Sequence, residues 1–246
     1  GSELLDKDFK SQWRSVGSAA TAGLQRGGRM GWYVLGQEVE EFEAELARRW
    51  GLAHAVGVAN GMDALEIALR GLGIHPGDRV LTTPLSAFAT TLAIMRTGAT
   101  AVFVDTDELG QIDLAQCRRV LAEDASIRFM VPVHLFGFCL DLPELAQLRA
   151  DFNLRVIEDC AQAIGASFGG IKAGTVGDAA ATSFYPTKNL GAMGVGGALL
   201  SKDPALDCRA INLRNYGQAS QYVQEQNGLE RPLEELEAGI VLPVLL

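Results

Sequence analysis

The sequence predicts an α/β fold, a mainly parallel but mixed sheet with helices on both faces. Three observations predict it. From about residue 54, short apolar runs alternate with stretches of helical spacing. Repeated β-then-α order brings successive strands back parallel, with the crossover helices covering the sheet. After Asp159 the rhythm changes to two apolar runs separated by a glycine-rich turn, so the sheet should be mixed.

The elements follow in order. Residues 1–30 are less regular and read as an N-terminal segment, with Gly27-Gly28 leading into a large domain over 31–246. Glu38 to Trp50 is helical, with Phe42 and Leu46 on one face. Ala55 to Ala59 is a strand, and Asp63 to Arg70 a helix stopped by Gly71 and Gly73. Arg79 to Thr83 and Ala101 to Asp105 are strands, separated by a helix from Phe88 to Arg96. A helix over Leu114 to Leu121, a strand over Phe129 to Val133 and a helix over Leu142 to Asp151 come next. Arg155 to Asp159 is a strand. Ala179 to Phe184 and Gly197 to Leu200 are the last two strands, and Ala205 to Asn215 the helix after them. The terminal run Gly239 to Leu246 is apolar, and Pro243 should interrupt a helix there. Such a run needs burial, in this domain or in a partner.

Composition narrows the function classes. With 48% apolar residues among 246, the chain can bury a substantial core. The longest apolar stretch falls well short of the roughly 18–20 residues of a membrane span. The first residues lack the basic-then-apolar pattern of a secretory signal. A net charge of −9 disfavours nucleic acid but leaves room for a small phosphorylated ligand on local backbone amides. The four cysteines, at 117, 139, 160 and 208, form no C-x-x-C pair. Neither a zinc site nor a disulfide framework is indicated, which suits a reduced cytoplasmic protein.

In an open α/β sheet, ligands bind beyond the carboxyl ends of the strands. Asn60-Gly61-Met62-Asp63 lies between a strand and a helix, where backbone amides can approach an anion; an ordinary βα turn looks the same. Glu158-Asp159 ends a strand. Paired carboxylates there can be a metal site, a structural cap or the partner of a cationic ligand. Ser183 to Gly191 places Lys188 after a strand and before a glycine-rich turn; the bland alternative is a solvated surface lysine. The glycine run is followed by an apolar strand rather than a helix, which weakens a dinucleotide loop.

Together these blocks resemble the DegT/DnrJ/EryC1/StrS sugar-aminotransferase family, over roughly residues 29–240. The most specific block is Ser183-Phe184-Tyr185-Pro186-Thr187-Lys188-Asn189-Leu190-Gly191. Support comes from Val34-Leu35-Gly36, Val58-Ala59-Asn60-Gly61, Pro132 to Gly137, and Ile157-Glu158-Asp159-Cys160-Ala161-Gln162-Ala163. The resemblance implies the large domain of a pyridoxal-phosphate (PLP) transferase, without its small C-terminal domain. It implies that Lys188 holds PLP as a Schiff base, Asp159 pairs with the pyridinium nitrogen and Phe88 stacks on the ring. Gly61 and Met62 would give amides to the phosphate, and Ser183 its hydroxyl. Gln162 would lie near the phenolic oxygen. A Schiff base needs an amine that sheds its proton near neutral pH, as a desolvated lysine does.

The resemblance also implies sugar and amino-acid substrates, and a homodimer with active sites at the interface. Lys188 points away from the family's dehydratase branch, which has histidine there. Three features depart from the pattern. Met62 replaces a threonine, which removes a hydroxyl from the phosphate. Glu230 stands near a family asparagine that reaches the neighbouring subunit's phosphate; Arg231 would have to substitute. The chain also stops before the small domain. An active aminotransferase and a PLP-binding chain with little catalysis are the two functional expectations. A cofactor-free α/β domain would make the lysine, the aspartate and the turn all incidental.

Overall fold

The computed structural model describes residues 9–31, 35–188, 196–215, 218–220, 223–224, 229 and 232–245. Val34, the run 189–195, Gly228, Glu230, Arg231 and Leu246 therefore lie outside the described residues. The elements are α1 (Phe9–Met30), α2 (Gln37–Trp50), β1 (His54–Val58), α3 (Gly61–Gly71), β2 (Arg79–Thr82), α4 (Phe88–Arg96) and β3 (Thr100–Phe103). They continue with α5 (Leu114–Glu123), β4 (Phe129–Met130), α6 (Leu142–Phe152) and β5 (Arg155–Asp159). The short pair β6 (Ser167–Phe168) and β7 (Ile171–Lys172) precedes β8 (Ala179–Ser183) and β9 (Gly197–Ser201). Last come α7 (Pro204–Arg214), the small strands β10 (Gln218–Ser220) and β11 (Val223–Gln224), and α8 (Glu235–Leu245).

Seven strands form one sheet in the order β1-β9-β8-β5-β4-β2-β3. The pairings from β8 through β5, β4 and β2 to β3 are parallel. Strand β9 runs antiparallel between β8 and β1. The sheet is mixed, as the change of rhythm predicted. Alternate side chains feed opposite layers. Val56, Ile157, Ala179 and Leu199 pack under α3, α4 and α7. Ala180, Ala198 and Leu200 pack against α2 and α8, and Leu81, Met130 and Val156 against α5 and α6.

Three expectations change. Residues 9–30, read as irregular, form a 22-residue helix. Gly17, Gly23, Gly27 and Gly28 each cost a helix about 1 kcal/mol relative to alanine, and tertiary contact overrides that cost. Helix α1 crosses α8 so closely that a Cβ on Gly23 would sit 2.5 Å from the Gly239 carbonyl oxygen. Helix α8 continues through Pro243 instead of stopping. A proline at 243 has no N–H for the carbonyl of residue 239, and that carbonyl faces Gly23. The apolar tail is buried within the domain, with Val241, Leu242 and Leu245 packed beside α2. Finally, β4 is two residues long rather than five, because Pro132 cannot continue the ladder; an isolated parallel bridge, Val133 to Asp159, keeps the strand ends aligned.

Acidic side chains tie the helical layer together. Helix α2 begins at Gly36, which has no side chain to cap it. Glu235 of α8 supplies the cap, accepting from the amides of Gly36 (2.6 Å), Val39 (3.0 Å) and Glu38 (3.0 Å). Glu38 in turn accepts from Nε and Nη2 of Arg26 on α1, at 2.6 and 2.9 Å. Glu43 takes the Gly57 amide at 2.7 Å and Arg214 at 2.5 Å, joining α2, β1 and α7.

Replacing Gly23 by alanine should force α1 off α8 and cost about 1–3 kcal/mol. Urea unfolding would register this as a lower midpoint with an unchanged slope; an unchanged midpoint would contradict the close crossing.

Candidate active site

The carboxyl edge of the sheet is where β1, β5 and β8 end and β9 begins, with Val58, Gly197 and Ser183 in register. Backbone packing there is unusually close. A Cβ on Gly61 would meet the Ser183 Cβ at 2.7 Å, and one on Gly197 would lie 2.4 Å from the Asn60 carbonyl carbon. Only glycine lets the start of α3 lie against both strands. Asn60 caps α3 by accepting from the Asp63 amide at 2.9 Å and donating to its carboxylate at 2.7 Å. The amides of Gly61 and Met62 belong to the first turn, which lacks intrahelical acceptors and carries the positive end of the helix dipole.

Asp159 and Glu158 end β5 as neighbours, so they point to opposite faces. Glu158 faces the α5–α6 side and is fully buried. Its carboxylate bonds His134 Nε2 at 2.7 Å and accepts the amides of Gly174 (2.7 Å), Val176 (2.8 Å) and Gly177 (2.7 Å). His134 Nδ1 accepts from the Leu140 amide at 3.2 Å, so the Nε2 proton is the one facing Glu158. Burial alone would raise the Glu158 carboxyl; the bond from His134 and the amides of Gly177 and Gly174 hold it below its usual value. His134, Glu158 and Cys160 offer ligand atoms within 4.8 Å of one another. The Glu158 oxygens are already taken by these donors, so the structural-cap reading of the pair applies to Glu158.

Asp159 faces the α3–α4 side and is buried. One carboxylate oxygen accepts from Thr90 Oγ1 at 2.8 Å and the other from the Ala161 amide at 3.1 Å. Burial pushes its carboxyl above the ordinary aspartate value, against those two bonds and the positive charge of Lys188. A buried acid in that condition is matched to a cationic partner.

Lys188 follows β8 through a tight turn in which its amide bonds the Tyr185 carbonyl at 2.8 Å. Phe184, packed edge-on against Phe42 at 5.2 Å, anchors the exit from the strand. A cavity of about 380 Å³ is lined by Gly61, Met62, Phe88, Asp159, Ser183 and Lys188. Six of the seven predicted site residues thus share one cavity. Phe88 begins α4 and is 73% exposed, its ring free to cover a flat ligand. Ser183 Oγ accepts from the Tyr185 amide at 3.3 Å, which leaves its own proton to donate. Met62 lines the wall, its sulfur 3.8 Å from Arg96 Nη1. Gln162 is not on the lining; its amide oxygen accepts from the Phe136 amide at 3.2 Å. Thr90 lies two residues after Phe88 on α4, and nothing in the sequence marks it; only the fold shows it holding Asp159.

The cavity fits a phosphorylated pyridine. A buried acid lies in its wall, an amine follows β8, and the first turn of α3 lines it. The fold is that of the large domain of PLP-dependent transferases. The chain belongs to the DegT/DnrJ/EryC1/StrS aminotransferase family, which it matches over residues 17–245 and whose cofactor is PLP. It is 41% identical over 237 residues to the dTDP-3-amino-3,4,6-trideoxy-alpha-D-glucose transaminase of Streptomyces venezuelae, covering 95% of this chain and 62% of that one. It is also 41% identical over 213 residues to the UDP-N-acetyl-3-dehydro-alpha-D-glucosamine 3-aminotransferase of Acidithiobacillus ferrooxidans, covering 85% and 56%. The crystal structure of S. venezuelae DesV in complex with a ketimine intermediate superposes with a TM-score of 0.93 at 40% identity, over 97% of this chain and 64% of that one. The chain therefore spans about six-tenths of the length of these relatives.

The two acids should titrate with opposite sign. Glu158, held below its usual value, adds stability above the unfolded value of about 4.5, and that stability is lost as pH falls through the folded value. Asp159, raised, withdraws stability as pH climbs above about 3.8. Melting curves between pH 3 and 6 should therefore slope less in Glu158→Gln than in wild type, and more in Asp159→Asn. Parallel slopes in all three proteins would count against both assignments.

Proposed function

We propose that this chain is the cofactor-binding part of an aminotransferase. Its reaction would move an amino group from an amino acid, glutamate, to a keto-sugar carried on a nucleotide. The observation that carries this reading is the sharing of one cavity by Asp159, Lys188 and the first turn of α3. The sugar class is supported by the names of the relatives, which act on dTDP- and UDP-linked sugars.

When bound, PLP supplies an electron sink for the substrate carbon that loses its proton. The protein's work is holding, orienting and moving that proton. Asp159 would hold the proton on the ring nitrogen, with its carboxylate kept aimed by Thr90 and the Ala161 amide. Lys188 Nζ would hold the cofactor, and an amine in that place can take a proton from the substrate carbon and return it. Phe88 covers the ring. The Gly61 and Met62 amides and the Ser183 hydroxyl take the phosphate. Gln162 would donate its amide N–H to the phenolic oxygen while its amide oxygen keeps the Phe136 amide.

The working unit is proposed to be a homodimer. Leu85, Leu109, Phe136 and Phe138, all exposed, lie on the loops around the carboxyl edge, where an interface would cover them. A cytoplasmic setting suits four cysteines that carry no disulfide. Among the described residues, no helix is long and apolar enough to cross a membrane.

Titration with PLP should give a visible absorption band that survives dialysis in wild type and is lost in Lys188→Ala. Glutamate should then discharge the band in wild type. A dialysis-stable band in Lys188→Ala would remove Lys188 from the site. A band that glutamate leaves untouched would favour a cofactor-binding chain with little catalysis.

Met62→Thr should add one hydroxyl donor to the phosphate and tighten PLP retention by about 0.5–1.5 kcal/mol. Equal dialysis half-lives of the two proteins would show that Met62 costs nothing.

A further inference from the structure

We propose that the amino edge of the sheet, opposite the active site, carries a second binding site for a small phosphate-class dianion. A cavity of about 330 Å³ lies there, lined by Arg149, Arg155, Lys202 and Arg209, with Asp178 and Asp203 as the opposing acids. Four cations facing two carboxylates leave a local excess of positive charge in a chain whose net charge is −9.

The acids are already committed. Asp178 accepts from Arg149 at 2.7 Å and from the Val156 amide at 2.8 Å. Asp203 caps α7 by accepting from the Ala205 amide at 2.8 Å. The cations are less committed. Arg155 has an ion pair only at 3.5 Å, with the Asp178 oxygen that Arg149 holds more closely. Lys202 Nζ donates to a neutral acceptor, the Thr175 carbonyl, at 3.1 Å. Arg209 Nε likewise donates to the Gly71 carbonyl at 2.6 Å, while its nearest carboxylate is 3.9 Å away. Arg149 Nε is buried without a hydrogen-bond partner among the described residues.

Strand β5, the β9–α7 junction and α7 thus each send N–H donors to one concave, polar site. A phosphate, with several acceptor oxygens and two negative charges near neutral pH, matches donors that converge from separate elements; guanidinium groups suit it in geometry as well as charge. The end of α3 places a weak negative dipole nearby, which Arg209 offsets at the Gly71 carbonyl. Arg155 and Arg209 are about half exposed, so salt should weaken binding.

The test is calorimetric titration of the PLP-loaded chain with inorganic phosphate, against chloride at equal ionic strength. The cofactor's own phosphate then fills the site at the carboxyl edge. One saturable site is expected. Arg155→Gln and, independently, Lys202→Gln should weaken binding by about fivefold or more. Both variants should keep the melting temperature and the visible cofactor band. Absence of saturable binding to the wild-type chain would overturn the proposal. So would unchanged affinity in both folded variants, or loss of the cofactor band as phosphate is added.

Discussion

A buried carboxylate is costly, and the site depends on how this chain holds one at Asp159. Two things fix it. Thr90 and the Ala161 amide grip its oxygens on the α3–α4 face. On the other face, Glu158 draws in His134 and the turn before β8. The strand end is therefore clamped from both sides of the sheet. Because β5 pairs with β8 at Asp159 and Ala181, the same clamp sets where β8 ends and where Lys188 follows it.

Acidic residues elsewhere do comparable work. Glu235 caps a helix that has no capping side chain, Glu38 ties α1 to it, and Glu43 joins α2 to β1 and α7. Each such carboxylate accepts bonds from amides or arginines at close range, which is what makes buried or half-buried charge tolerable. Part of the chain's net negative charge is thus internal bracing and not a surface directed at a partner.

The βα alternation was legible because each strand and helix carries its own period. The helix at Phe88–Arg96 and the strand at Arg155–Asp159 have the predicted limits. Six of the residues named from the resemblance line one cavity because they lie at or just beyond strand ends; their roles are proposals. Helix α1 was not legible, since its glycines argue locally against a helix and only the crossing with α8 explains them. The course of α8 through Pro243 had the same origin. Thr90 and the split between Glu158 and Asp159 needed the fold, because the partners lie far apart in sequence. Gln162 came from the motif; it lies off the cavity lining, with its amide oxygen accepting from the Phe136 amide.

The proposed site requires Asp159 to meet the ring nitrogen of PLP while Lys188 holds its other end. A crystal structure of the chain grown with PLP tests that directly. The expected result is density continuous from Lys188 Nζ to the cofactor, with the ring nitrogen about 2.7–2.9 Å from an Asp159 oxygen. A ring bound elsewhere, or one whose nitrogen faces no carboxylate, would contradict it.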